Sequence, residues 1–129
     1  LYHQTSLENA QAILASGRMV PGKKGFGGGG IYFAEEPAVT HCKAQCKGAI
    51  LECVVELGRV KRVKSKARLG DYSARFWQWL YGYDSVCLLC MDDGTEYIVY
   101  HTKRVKSVRL YELISSYCAA QQGEPASAA

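Results

Sequence analysis

The segment AILECVVEL, residues 49 to 57, constrains the fold more than any other. It is rich in branched apolar side chains, which favour a pleated strand over a helix. It is also too apolar along its length to lie at an edge, so it is placed inside a sheet with neighbours on both sides. The rest of the chain has to supply those neighbours.

Short alternating segments do so. LYHQT at the start reads as a strand, with Leu1, His3 and Thr5 on one face and Tyr2 and Gln4 on the other. Ser6 caps a helix whose apolar positions Ala10, Ile13 and Leu14 recur at helical spacing until Gly17 and Pro21 end it. GIYFA emerges as a strand from the glycine-rich GFGGGG, and Glu35, Glu36 and Pro37 open a second helix running to about Lys47. Residues 61 to 71 form a basic ribbon or loop, and SARFWQWLYG forms a short aromatic helix or turn that packs Phe76, Trp77 and Leu80 inward. DSVCLLC, TEYIVYH and KSVRLYELI are strands joined by hairpin chemistry around DDG. Few helices and a strand-rich second half give an α+β domain, not an alternating doubly wound sheet.

At 129 residues and 48% hydrophobic composition there is material for one core. The domain spans residues 1–114, and 115–129 form a C-terminal extension too poor in apolar residues to order at its end. No run of about 18 apolar residues or secretion signal is visible, so a membrane partner is not expected, and a chain starting at Leu1 reads as a domain of a longer protein. The six cysteines lack the spacing of a small disulfide scaffold, which points to a reduced, intracellular setting. Net charge is +4, concentrated in segments 59–68 and 103–109. Such segments are either solvated strand edges or contacts for nucleic acid or acidic tails.

Three strand-like segments each carry a polar residue, namely His3, Tyr32 and Glu96. A glutamate inside a strand needs partners, because stripping water from a carboxylate is costly. With these residues in this order, the chain resembles the catalytic domain of the poly(ADP-ribose) polymerase family, the diphtheria-toxin-like ADP-ribosyltransferases with a His-Tyr-Glu triad. LYHQT is similar to the family's first strand, GGGIYFA to its GxGIYFA strand and EYIVYH to its EYxxY strand. YDSV and ILECVVELG are most like segments of tankyrase-like members. The resemblance covers Leu1 to about Ile114.

The resemblance implies a compact ADP-ribosyltransferase fold of two packed, mostly antiparallel sheets with a few short helices. It implies NAD as the substrate; separately, the cysteines give no expectation of a metal. Glu96 would stabilise the oxocarbenium-like charge formed as nicotinamide leaves. His3 would hold the adenine-side ribose, the main chain of Gln4 would clasp the nicotinamide carboxamide, and Tyr32 would stack on its ring. Thr40 stands where the family has a serine on the same carboxamide, and Thr5, Gly30, Ala34 and Lys43 complete the cofactor-binding set.

Two positions depart from the family pattern. Gln4 replaces a glycine, and Lys43 replaces a second tyrosine that would sandwich the nicotinamide. Lys23 or Lys24, in a shortened donor loop, would reach the pyrophosphate or stay solvated. Cys87 and Cys90 have a zinc-knuckle spacing, but on a strand they face opposite ways. The glycines before Ile31 are expected to give clearance beside the cofactor, so alanine at Gly29 or Gly30 should weaken NAD binding more than folding.

The function that follows is mono-ADP-ribosyl transfer from NAD to a protein side chain, by a monomer located in the cytoplasm or nucleus. The alternatives are a catalytically silent domain that binds NAD, ADP-ribose or a protein, and a transferase acting on nucleic acid.

Overall fold

The computed structural model describes residues 1–25, 27–44, 47–65, 82–89 and 91–114. Its first strand, β1 (Tyr2–Thr5), runs into α1 (Leu7–Ser16) through a cap at Ser6, whose hydroxyl accepts from the Asn9 N–H at 3.1 Å. Gly17 ends the helix in the left-handed region, φ 68°, where its N–H donates to the Ile13 carbonyl. After the glycine loop come β2 (Ile31–Ala34) and α2 (Thr40–Lys43). The remaining strands are β3 (Ala49–Val55), β4 (Val60–Val63), β5 (Ser85–Leu88), β6 (Glu96–Val99) and β7 (Val105–Leu113).

This is an α+β fold in which the described strands form one seven-stranded sheet, ordered β4-β5-β6-β2-β1-β3-β7. Five of its pairings are antiparallel, and β4 with β5 is parallel. Two packed sheets were expected. Instead the two groups of strands are joined, because β1 pairs with β3 over four positions and with β2 at the single pair Tyr2↔Ala34. The sheet is therefore narrowest between β1 and β2.

β3 is flanked on both sides, by β1 and β7, as its apolar sequence requires. That requirement also explains β7, which does not form a hairpin with β6. Instead it passes through a 3-10 turn at Thr102–Arg104 to cover β3 at the far edge. β5 and β6 do form an antiparallel neighbouring pair. The expected basic ribbon begins as β4, while residues 66–81 (all of the aromatic segment SARFWQWLYG but its final glycine), Cys90 and the extension 115–129 lie outside the described residues.

Each face of the sheet carries a buried cluster. On one, Ala10 of α1 packs with Ile31, Phe33, Leu51, Cys53 and Val99; on the other, Val63, Val86, Leu88, Ile98 and Tyr100 cluster. Full burial of a side chain such as Leu51 or Leu88 contributes about 1.5–3 kcal/mol. The second helix is shorter than expected. Ala44 is extended, with ψ 129°, because the chain must turn back to enter β3 only five residues later.

The basic character of the β7 edge is largely compensated. Lys106 pairs with Glu56 at 2.9 Å, Arg109 with Glu52 at 2.5 Å, and Arg104 with Asp84 at 2.7 Å. Near β4, Arg59 and Lys61 both lie over the Tyr83 ring. No helix among the described residues is long and apolar enough to cross a membrane.

Candidate functional site

Ladder geometry makes an opening between β1 and β2. Leu1 and Cys53 exchange both backbone hydrogen bonds, at 3.0 and 2.8 Å, so Leu1, His3 and Thr5 turn their backbone groups toward β3. Tyr2 and Gln4 then turn theirs toward β2. Tyr2 meets Ala34, but no registered pair follows, and the N–H and C=O of Gln4 face the opening.

The His3 ring sits at this point. Its Nδ1 lies 2.7 Å from the Tyr32 carbonyl oxygen. A carbonyl only accepts, so Nδ1 carries the proton and Nε2 is left as an acceptor. Burial pushes the His3 pKa below its ordinary 6.5, against the bond to the Tyr32 carbonyl, which favours the charged form. His3 is thus a neutral imidazole of fixed tautomer, edge-on to Phe33 at 6.0 Å.

Tyr32, Ala34 and Glu96 share one face. Ala34 pairs with Glu96 and Tyr32 with Ile98, and cross-strand partners point the same way. Glu96 is 8% exposed. The Tyr32 hydroxyl donates to the Gly28 carbonyl at 2.5 Å and accepts from the Gly27 N–H at 3.0 Å. Burial raises its pKa to about 12; the Gly27 N–H opposes this, and the Glu96 charge adds to it. His3 and Thr5 project to the other face, the one covered by α1, and the Thr5 hydroxyl accepts from Asn9 Nδ2 at 3.4 Å. Thr40 begins α2, buried, with its hydroxyl donating to the Pro37 carbonyl at 2.5 Å. Lys43 is the last residue of α2.

A cavity of about 1050 Å³ spans the opening. From β1 it is lined by His3, Gln4 and Thr5, and from the other elements by Gly30, Tyr32, Ala34, Thr40 and Glu96. These belong to both faces of the sheet, so the cavity passes from the α1 side to the α2 side. Lys24 also lines it, whereas Lys23 does not.

Several features escaped the sequence reading. Asn9, Ile13, Ser16 and Arg18 line the α1 end of the cavity. The αL turn at Gly17, which brings Arg18 back beside the helix, was the signal for the last of these. The Gln4 side chain, 5% exposed, places Nε2 at 3.3 Å from His41 Nδ1 on α2. Tyr100 donates to the Gly27 carbonyl at 2.9 Å, so two tyrosines hold the glycine loop. The glycines there serve packing. A Cβ at Gly29 would fall 2.6 Å from the Gly22 carbonyl oxygen, and one at Gly30 2.6 Å from Ile98 Cγ2, so alanine at either position carries a folding cost of its own.

Among the described residues no group of His, Cys, Asp and Glu could hold a metal ion. Cys42, Cys53 and Cys87 are free thiols, and burial raises Cys53 to about 12. Compared with known proteins, the chain matches no protein-family model and no curated protein.

Proposed function

We propose that the domain is an NAD-dependent mono-ADP-ribosyltransferase acting on a protein side chain. The observation that carries this reading is the single cavity across the β1–β2 opening, which gathers His3, Gln4, Tyr32 and Glu96 from three strands far apart in sequence. A dinucleotide suits such a cavity, with nicotinamide on the α2 side and adenosine on the α1 side.

In this reading the outward-turned N–H and C=O of Gln4 clasp the carboxamide. Thr40, whose oxygen still accepts, supports it, and Tyr32 offers its ring face. Nε2 of His3 accepts from a ribose hydroxyl, which requires the neutral tautomer that the Tyr32 carbonyl fixes. The ribose–nicotinamide bond breaks with its electron pair leaving on the ring nitrogen. The Glu96 carboxylate offsets the positive charge left on the sugar and orients the acceptor nucleophile that bonds to C1′. In a buried site such a charge acts more strongly than in water.

The proposal includes a monomer and an intracellular setting, the latter in keeping with the free thiols among the described residues. Transfer to nucleic acid draws less support, since Arg104, Lys106 and Arg109 already have acidic partners. A silent NAD-binding domain remains the second reading, favoured by Gln4 standing in the cavity lining where the family has glycine.

The test incubates the protein with labelled NAD, alone and with protein or oligonucleotide acceptors, beside Glu96→Gln and His3→Ala. Wild type should release nicotinamide and label protein, with Glu96→Gln reduced about a hundredfold or more. Equal turnover by wild type and Glu96→Gln refutes the assignment. Saturable NAD binding without turnover selects the silent domain.

A further inference from the structure

We infer that the Gln4 side chain is a specificity element, its Oε1 accepting a hydrogen bond from the N–H of a ligand carboxamide while His41 fixes the amide's orientation. This rests on the NAD reading above and concerns a contact separate from the main-chain clasp. The Gln4 amide is tethered at one end only. Nε2 can only donate, so Nδ1 of His41 accepts and the His41 proton lies on Nε2. Oε1 is buried and has no hydrogen-bond partner among the described residues.

Such an oxygen is costly to leave unpaired, and the cost is recovered when a ligand brings a donor. The available ligand space is the cavity that Gln4 lines together with Tyr32, Thr40 and Glu96. Alternation along β1 puts the Gln4 side chain on the sheet face of Tyr32 and Glu96, while its own N–H and C=O turn into the opening. A carboxamide seated there meets the main chain of Gln4 along one edge and its side chain from the α2 side. A carboxylate in the same place has no N–H to offer and sets a negative charge against Oε1. A glycine at this position could read neither difference through a side chain. The Gln4–His41 pair thus adds selectivity for an amide-bearing aromatic ring over the corresponding acid, with His41 as a positioning residue.

The experiment measures dissociation constants of nicotinamide and nicotinic acid for wild type, Gln4→Leu, Gln4→Gly and His41→Ala, with NAD binding and thermal midpoints recorded for each. Wild type should prefer nicotinamide at least tenfold. Gln4→Leu should lose threefold or more of that ratio while still binding NAD, and His41→Ala should lose less, because the amide is loosened but present. If Gln4→Leu does not fold, Gln4→Met serves in its place. A folded Gln4→Leu or Gln4→Met with the full wild-type ratio overturns the inference and leaves the NAD reading intact. So does a Gln4→Gly that binds nicotinamide more tightly, since the side chain then obstructs. Wild-type protein that binds neither nicotinamide nor NAD overturns both readings together.

Discussion

Gly30→Ala adds one methyl group where the glycine loop enters β2. On the present backbone its Cβ falls 2.6 Å from Ile98 Cγ2, 3.0 Å from the Val99 carbonyl oxygen and 3.2 Å from Tyr100 Cδ1. Non-bonded carbons rest about 3.5–4.0 Å apart, so the Ile98 contact is short by about 1 Å. Ile98 is fully buried, packed with Val86 and Tyr100, and cannot swing away without moving them. The Val99 oxygen belongs to the backbone at the end of β6 and yields even less. Overpacking of this kind costs about 1–3 kcal/mol. At roughly 4 °C per kcal/mol for a domain of this size, the thermal midpoint should drop by about 4–12 °C. Circular dichroism melts and urea midpoints measure the loss, and a nicotinamide titration well below the midpoint measures the site. The folded variant should bind within about threefold of wild type. An unchanged midpoint with binding abolished would refute the packing argument and show that Gly30 is there for the ligand.

Gly25→Ala should behave in the opposite way. Its Cβ meets the Tyr32 hydroxyl, and φ is 148°, so the loop must leave the phenol; nicotinamide affinity should fall about tenfold, with a smaller change in midpoint than for Gly30→Ala, in paired titrations and melts. The lowered His3 pKa means that the unfolded chain binds a proton first as pH falls below 6.5, so stability should decline from that pH downward, and His3→Asn should flatten this part of a urea-midpoint profile. A steeper decline in the variant would reverse the sign and refute it. Arg109→Ala, whose side chain is largely exposed in its pair with Glu52, should change stability by at most about 1 kcal/mol by chemical denaturation.

What could be read from the sequence was what is decided locally or by burial. Ser6 and Gly17 bracket α1 because a cap and an αL turn involve only neighbouring residues, and AILECVVEL declares an interior strand because its run of branched apolar residues is too long for an edge. The end of α2 could not be read, since its helical pattern continues past Lys43 while the chain is drawn off to join β3. Nor could the route of β7, because hairpin signals favour the adjacent strand, whereas the uncovered side of β3 lies across the sheet. At the site, the residue types stood out as polar interruptions of strands. Their relations did not: the Gln4–His41 contact, 37 residues apart, and the Tyr100–Gly27 bond, 73 apart, exist only once the sheet is assembled.

The same limit applies to His3, whose place in the opening gives it a role that precedes any ligand. If the β1–β2 ladder continued beyond Tyr2↔Ala34, its next pair would be Gln4↔Tyr32, with the Gln4 N–H donating to the Tyr32 carbonyl. That carbonyl is instead taken by Nδ1 of His3 at 2.7 Å. A side-chain donor thus replaces a main-chain one, the Tyr32 oxygen stays satisfied after burial, and the backbone of Gln4 is left outside the ladder. One hydrogen bond therefore fixes the imidazole tautomer and supports the separation of the strands. The cavity depends on that separation, because a closed ladder would leave no gap between the sheet faces and would turn the main chain of Gln4 into a bond with β2.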